Sequence, residues 1–287
     1  MTDNSDELRK LEISVDDIQL ENKPFARGGF GEVYMAKWRN EDVVVKVIKV
    51  DCVGDEQDVM SEASLTFRLK HDNVVKLFGM TRTKSDQLGI VMELAELGSL
   101  DQWIGIVHQD RMVDIALGII DGLEYVHSKN VIHRDIKPKN ILMFGPDDNM
   151  IPKIADFGVS KVIQTAVTPK TKVGEDLYMA PEVKMFNSYS FPADIFSLTI
   201  MLFEMFNEQL LRKSADEVRL YIMQVHSGKV GDIPRSCRVS ECLHSIIKRG
   251  WNQMPEERPK LPEFSSVLRG KRHFILNYFI YLMYKLK

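Results

Sequence analysis

The chain has 287 residues, of which 44% are hydrophobic and 28% charged, enough apolar material to fill a core and enough charge to cover it. A formal net charge of -3 supplies no general attraction to nucleic acid or to an acidic membrane surface. Three cysteines, Cys52, Cys237 and Cys242, have neither Cys-x-x-Cys spacing nor paired histidines, which excludes the usual zinc sites and fits a reducing compartment.

Residues Met1 to Glu12 are polar and mostly acidic, unlike a signal peptide, and no apolar run reaches the roughly 20 residues that span a bilayer. A cytoplasmic protein is expected, with the nucleus as the other open compartment. Between two strand-like runs stand Ala26, Arg27, Gly28, Gly29, Phe30, Gly31, Glu32 and Val33. Such glycines let a backbone close over phosphate oxygens and present bare N–H donors. A plain hairpin satisfies the same cluster.

The β-branched run Val43 to Val50 predicts a strand, with Lys46 in its middle. An ammonium beside an apolar layer needs an anionic partner there; an outward lysine on an edge strand is the other reading. Asp55 to Leu69 predicts a helix, whose Glu62 is either that partner or a solvated carboxylate. Val74 to Phe78 and Leu88 to Met92 predict two more strands.

After Gly98 the pattern becomes helical. Met112, Ile115, Ala116, Ile119, Leu123 and Val126 recur at three- and four-residue steps, so one helix face is buried. Phe191 to Phe206 is apolar all round and predicts a central buried helix, and Glu241 to Trp251 and Leu261 to Leu268 predict the last helices. The change of pattern at Glu93 to Gly98 predicts a sheet lobe, a short hinge and a helical lobe around a cleft.

The densest polar cluster lies between these helices. Val131 to Leu142 sets His133, Arg134, Asp135, Lys137 and Asn140 between apolar anchors, and Pro138 makes it a loop. Asp156, in Asp156-Phe157-Gly158, follows Asn140 by 16 residues. Two aspartates and an asparagine are hard oxygen ligands and proton acceptors, suited to Mg²⁺ and a hydroxyl nucleophile.

This ordered set resembles the eukaryotic protein kinase family, from about residue 15 to residue 270. Ala180-Pro181-Glu182, Asp194 and Arg258 extend the match. Asp16-Asp17-Ile18, Trp38 and Gly98-Ser99-Leu100 are similar to the tyrosine kinase-like group, whereas Lys137 before Pro138 resembles the serine/threonine pattern, with dual specificity left open. The resemblance implies an α+β bilobal fold: an N-terminal extension 1–17, a kinase domain 18–272 (upper lobe 18–93, hinge 94–98, lower lobe 99–272) and an apolar, basic tail 273–287. It implies ATP with Mg²⁺ (or Mn²⁺) and a protein substrate.

By resemblance, Lys46 holds the α- and β-phosphates and Glu62 fixes Lys46. Asp156 and Asn140 hold the metal, Asp135 orients the substrate hydroxyl, and Lys137 offsets charge on the phosphoryl group. Ala26, Arg27, Gly28, Gly29 and Gly31 cover the phosphates. Glu93 and Ala95 present hinge backbone to adenine, Met92 is the gatekeeper, Val33, Val44 and Leu142 sandwich the ring, and Ser99 faces the ribose. Asp156 to Glu182 resembles an activation segment with Ser160, Thr165, Thr168 and Thr171, the last two being the expected phosphorylation sites, with Arg134 to receive the phosphate. That implies an activating kinase or a dimer partner.

The chain departs from the family's pattern at three positions. Ala26 replaces the first loop glycine, Thr66 replaces a larger apolar residue expected against Phe157, and Glu175 replaces a threonine beside the catalytic pair. A carboxylate there is expected either to repel Asp135 and pair with Lys137, depressing activity, or to swing outward with little effect. These departures keep a nucleotide-binding scaffold open as an alternative to an active enzyme. A metabolite-phosphorylating enzyme is disfavoured by the Ala180-Pro181-Glu182 motif. Phe274 to Tyr284, flanked by basic residues, is too short to span a bilayer; packing on the lower lobe or a gene-assembly artefact is expected ahead of contact with a membrane surface or a role in association.

Overall fold

Val43 to Ile48 reads as a strand covered on both faces, and a computed structural model places it in that setting. The structure describes residues 11–28, 31–48, 59–60, 63–64, 66–157, 177–206, 223–225 and 241–270. The chain divides into two units, Met1–Glu96 with Ala155–Lys170, and Leu97–Ile154 with Thr171–Lys287.

The first unit is built on an antiparallel sheet. Its strands are β1 (Ile18–Leu20), β2 (Ala26–Gly28), β3 (Gly31–Trp38), β4 (Glu41–Ile48), β5 (Leu77–Arg82) and β6 (Leu88–Glu93). Their order is β1-β3-β4-β6-β5, with β2 paired to β3, so β4 is central rather than an edge. Alternation along β4 sends Val43, Val45 and Val47 into one core with Ile13, Ile18, Ala36 and Val91. Ile48 joins the other core, with Leu11, Val59, Ala63, Leu77, Met80, Leu88 and Ile90. Lys46 shares the face of Ile48. Helical residues 59–60, 63–64 and 66–67 cover that face.

The strand predicted at Val74 to Phe78 begins instead at Leu77 and runs to Arg82. Val74 N–H closes a turn on His71 O at 3.1 Å, which delays the strand, and a register shift between Leu77 and Gly79 breaks its alternation. Gly79 has a second reason to be glycine. A Cβ there would lie 2.4 Å from Leu11 O, because Leu11 to Ile13 runs alongside β5. Ile13 N–H donates to Met80 O at 2.7 Å, and Glu12 bridges Met80 in parallel sense.

In the second unit, α1 (Gln109–Ser128) buries the three- and four-residue stripe seen in the sequence. It ends with Asn130 in the left-handed region (φ 58°), Asn130 N–H on His127 O at 2.9 Å and Val131 N–H on Val126 O at 3.3 Å. This C-terminal cap turns the chain into the segment that carries Asp135. After it, β7 (Ile141–Phe144) and β8 (Ile151–Ile154) form a two-stranded sheet. That sheet was not anticipated, because four-residue apolar runs carry little periodic signal. Next come α2 (Pro181–Phe186), α3 (Phe191–Phe206), α4 (Glu241–Gly250) and a last helix over 261–270. Helix α3 is buried on nearly every side, as its all-round apolar sequence implies.

Candidate active site

In the first unit, β2 and β3 form the glycine hairpin. Gly31 (φ +147°) has no room for a side chain, since a Cβ would lie 2.0 Å from Val47 O. Ala26, Arg27 and Gly28 face Val33, Glu32 and Gly31 in register, and an Arg27–Glu32 ion pair at 3.2 Å ties the strands. Gly29 lies outside the described residues. Val33 pairs in register with Lys46, and Val44 with Met92.

Lys46 is held in the middle of a buried strand, its side chain only 11% exposed. Its Nζ meets Asp156 Oδ1 at 2.5 Å. The ammonium needed an anion, and the anion found is Asp156, which sits in the left-handed region at φ 59°. Glu62, the partner expected from sequence, lies outside the described residues. Lys46, Asp156, Phe157, Thr66 and Met92 line one small cavity of about 30 Å³. Thr66 therefore shares a cavity lining with Phe157, the residue the sequence reading set it against. Glu93, at the end of β6, is tied to Lys76 twice: its N–H donates to Lys76 O at 3.1 Å, and its Oε1 accepts from Lys76 N–H at 2.7 Å. Ala95 follows on the connecting segment.

In the second unit, a 3-10 turn at Pro138–Asn140 folds the loop on itself. Lys137 Nζ lies 2.8 Å from Asp135 Oδ2, each side chain being 17% exposed. Asn140 Nδ2 donates to the same oxygen at 2.9 Å and to Asp135 O at 2.7 Å. His133, fully buried, accepts from Asp135 N–H through Nδ1 at 3.2 Å. Asp194, in the first turn of α3, anchors the loop. It accepts from His133 N–H at 2.8 Å, Arg134 N–H at 2.9 Å and His127 Nε2 at 2.8 Å. These bonds hold Arg134 at φ 73°, a conformation that costs about 1–3 kcal/mol in a residue other than glycine. The Arg134 guanidinium lies over the Tyr189 ring at 5.5 Å.

Ser99 bridges to Leu142 and donates its hydroxyl to Asp101 Oδ1 at 2.5 Å. Glu182 and Arg258 form a buried bidentate pair at 2.7 and 2.8 Å. One pair had no signal in the sequence. Tyr178 donates to Glu204 Oε2 at 2.5 Å, and burial raises the pKa of both groups, the Tyr178 bond pulling Glu204 partly back. Twenty-six residues separate them, and each reads as an ordinary side chain. Glu175 and the activation-segment hydroxyls Ser160, Thr165, Thr168 and Thr171 lie outside the described residues, as does the tail 273–287.

These residues and this fold are those of protein kinases. The protein kinase domain family matches residues 21–268, and the chain belongs to it. It is 30% identical over 273 residues to the serine/threonine-protein kinase STY17 of Arabidopsis thaliana, covering 93% of this chain and 46% of that protein. It is 34% identical over 269 residues to the RGS domain-containing serine/threonine-protein kinase A of Dictyostelium discoideum, covering 90% and 23%. It is 30% identical over 268 residues to the tyrosine-protein kinase Src64B of Drosophila melanogaster, covering 90% and 48%. The chain thus spans about half, or less, of the length of these relatives. Their mixture bears out the resemblance to the tyrosine kinase-like group, and the expected α+β protein kinase fold is borne out with it.

The family brings ATP as phosphoryl donor, a divalent metal and protein substrates. The donor chemistry fits such a metal. Asp156 in the first unit carries a carboxylate and Asn140 in the second an amide oxygen, donor types that a small divalent ion takes. Among the described residues no helix is long and apolar enough to cross a membrane.

Proposed function

We propose that the protein is a serine/threonine kinase that moves the γ-phosphoryl group of ATP to protein hydroxyls. The observation that carries this reading is the convergence of Lys137 and Asn140 on Asp135 Oδ2. Both bonds fall on one oxygen, and Oδ1 is assigned to the substrate hydroxyl, which it orients and whose proton it accepts. Lys137 then lies beside the hydroxyl and offsets charge on the transferring group. Lys46 holds the α- and β-phosphates, and Glu62 fixes Lys46. Asp156 and Asn140 hold Mg²⁺ (or Mn²⁺), which when bound neutralises charge on the phosphate oxygens.

The glycine hairpin Ala26 to Gly31 covers the phosphates, with Arg27 already tied to Glu32. Glu93 and Ala95 present backbone to adenine, Val33, Val44, Met92 and Leu142 enclose the ring, and Ser99 serves the ribose. Catalysis here is positioning and electrostatics, with no covalent nucleophile. Phosphorylation at Thr168 or Thr171, received by Arg134, raises activity through an activating kinase or a second copy. The small, odd cysteine count supports a cytoplasmic setting.

The test is purified protein with Mg-ATP and a generic protein substrate, beside Asp135→Asn. Phosphate appearing on serine and threonine, and a loss of about a thousandfold in the variant, is expected. Nucleotide binding without any transfer would overturn the reading.

A further inference from the structure

The link from α2 into α3 is clamped along its length. Asn187 caps α2 in the left-handed region, with its N–H on Val183 O at 2.9 Å, and Ala193 N–H donates to Ser190 O at 3.0 Å. Arg258 donates to Pro192 O at 2.8 Å, and the Phe191 ring meets the His127 ring at 4.7 Å. Tyr189, half-buried in this link, has the Arg134 guanidinium 5.5 Å from its ring centre. Asp194, in the first turn of α3, accepts from Arg134 N–H at 2.9 Å. The start of one helix therefore grips Arg134 twice, once by its backbone and once by its side chain.

The two grips do different things. Arg134 sits at φ 73°, where an L residue is crowded by its own backbone, and such a conformation lasts only where the surroundings over-determine it. The bond to Asp194 holds the amide. Rotation about N–Cα leaves that amide in place and swings everything beyond it. Beyond it, Asp135 N–H reaches His133 Nδ1 at 3.2 Å, the long end of a hydrogen bond. The guanidinium also lies beyond the rotating bond, and the negative face of an aromatic ring holds a cation there. Tyr189 thus restrains the torsion that Asp194 leaves free, one residue ahead of Asp135.

We propose that Tyr189 is a positioning residue for phosphoryl transfer: by holding the Arg134 side chain it keeps the left-handed turn in place and the Asp135 carboxylate on Lys137 and Asn140. This rests on the kinase reading above. Without the ring, Arg134 relaxes toward negative φ, and the peptide that joins it to Asp135 turns with it.

The experiment measures kcat, KM for ATP and KM for protein substrate in the full chain. The variants are Tyr189→Leu, Tyr189→Phe, Arg134→Gly, and Arg134→Gly combined with Tyr189→Leu. Glycine takes a positive φ without crowding and carries no guanidinium, so Tyr189 has nothing to hold in that background. Tyr189→Leu is expected to lower kcat about fivefold with both KM values unchanged, while Tyr189→Phe keeps kcat within about twofold. On the Arg134→Gly background, Tyr189→Leu is expected to change kcat by less than about twofold. In protein carrying isotope-labelled arginine, the Arg134 Nε–H resonance is identified by its absence from Arg134→Gly. It is expected to be ring-shifted in the wild type and in Tyr189→Phe, and to lose that shift in Tyr189→Leu. An unchanged kcat in Tyr189→Leu, or the same loss on both backgrounds, would overturn the proposal. If Tyr189→Leu fails to fold, Tyr189→Met makes the same comparison. Failure of the wild-type protein to transfer phosphate sinks the kinase reading instead, and the Arg134 resonance still decides whether Tyr189 holds that side chain.

Discussion

Lys137 and Asn140 hold one oxygen of Asp135, and neither reaches it by chance of a flexible chain. Asn140 is locked by the 3-10 turn that starts at Pro138, and its amide also holds Asp135 O. On the proposed function, Asn140→Ala removes an orienting bond and a metal oxygen together. Its kcat is expected to fall by about a hundredfold or more, and the Mg²⁺ concentration for half-maximal rate to rise; a metal titration of the variant measures both. Lys46→Met belongs to the same scale. It removes the Lys46–Asp156 ion pair and, on the proposed function, the phosphate ligand, so loss of transfer with retained circular dichroism is expected.

The element scale is where sequence and structure part company. Strand β4 and helix α3 were legible because each is buried over most of its length and is therefore predominantly apolar. Val74 to Phe78 was misplaced because Gly79 and a register shift interrupt the period that marks a strand. Asp135, Lys137 and Asn140 were legible because six residues of chain hold them all. The anchoring of that loop by Asp194 depends on residues about sixty positions apart, which no local pattern records. Two side-chain pairs make predictions here. Arg258 is buried against Glu182 and also donates to Pro192 O at 2.8 Å, so Arg258→Ala strands a carboxylate. A loss of about 3–5 kcal/mol in a denaturant titration is expected.

The Tyr178–Glu204 pair ties the segment before α2 to α3, and burial raises the Glu204 pKa above its ordinary value of 4.5. A raised carboxyl pKa favours the folded state where the group is protonated, and that advantage fades as pH climbs through the folded pKa. Glu204→Gln keeps an acceptor for Tyr178 and cannot ionise. Relative to this variant, wild-type stability is expected to decline as pH rises above the ordinary carboxyl value of 4.5 and to level off once the pH passes the raised folded-state pKa, read from urea melts at each pH.

At the scale of the whole molecule, nucleotide binding and stability are linked. Mg-ATP at about a hundred times its Kd is expected to add about 2.7 kcal/mol to stability, seen as a raised melting temperature. Lys46→Met is expected to abolish that rise, and a wild-type protein insensitive to Mg-ATP would contradict the nucleotide site. The anchoring of His133 and Arg134 has a further consequence. Loop amides usually trade their hydrogens with water quickly, because local opening frees them. These two are bonded to a carboxylate that is itself 1% exposed in a helix buried on nearly every side. In deuterated solvent they are expected to keep their protons about as long as the middle of α3, so the segment that carries Asp135 has the shape of a loop and the exchange clock of a core.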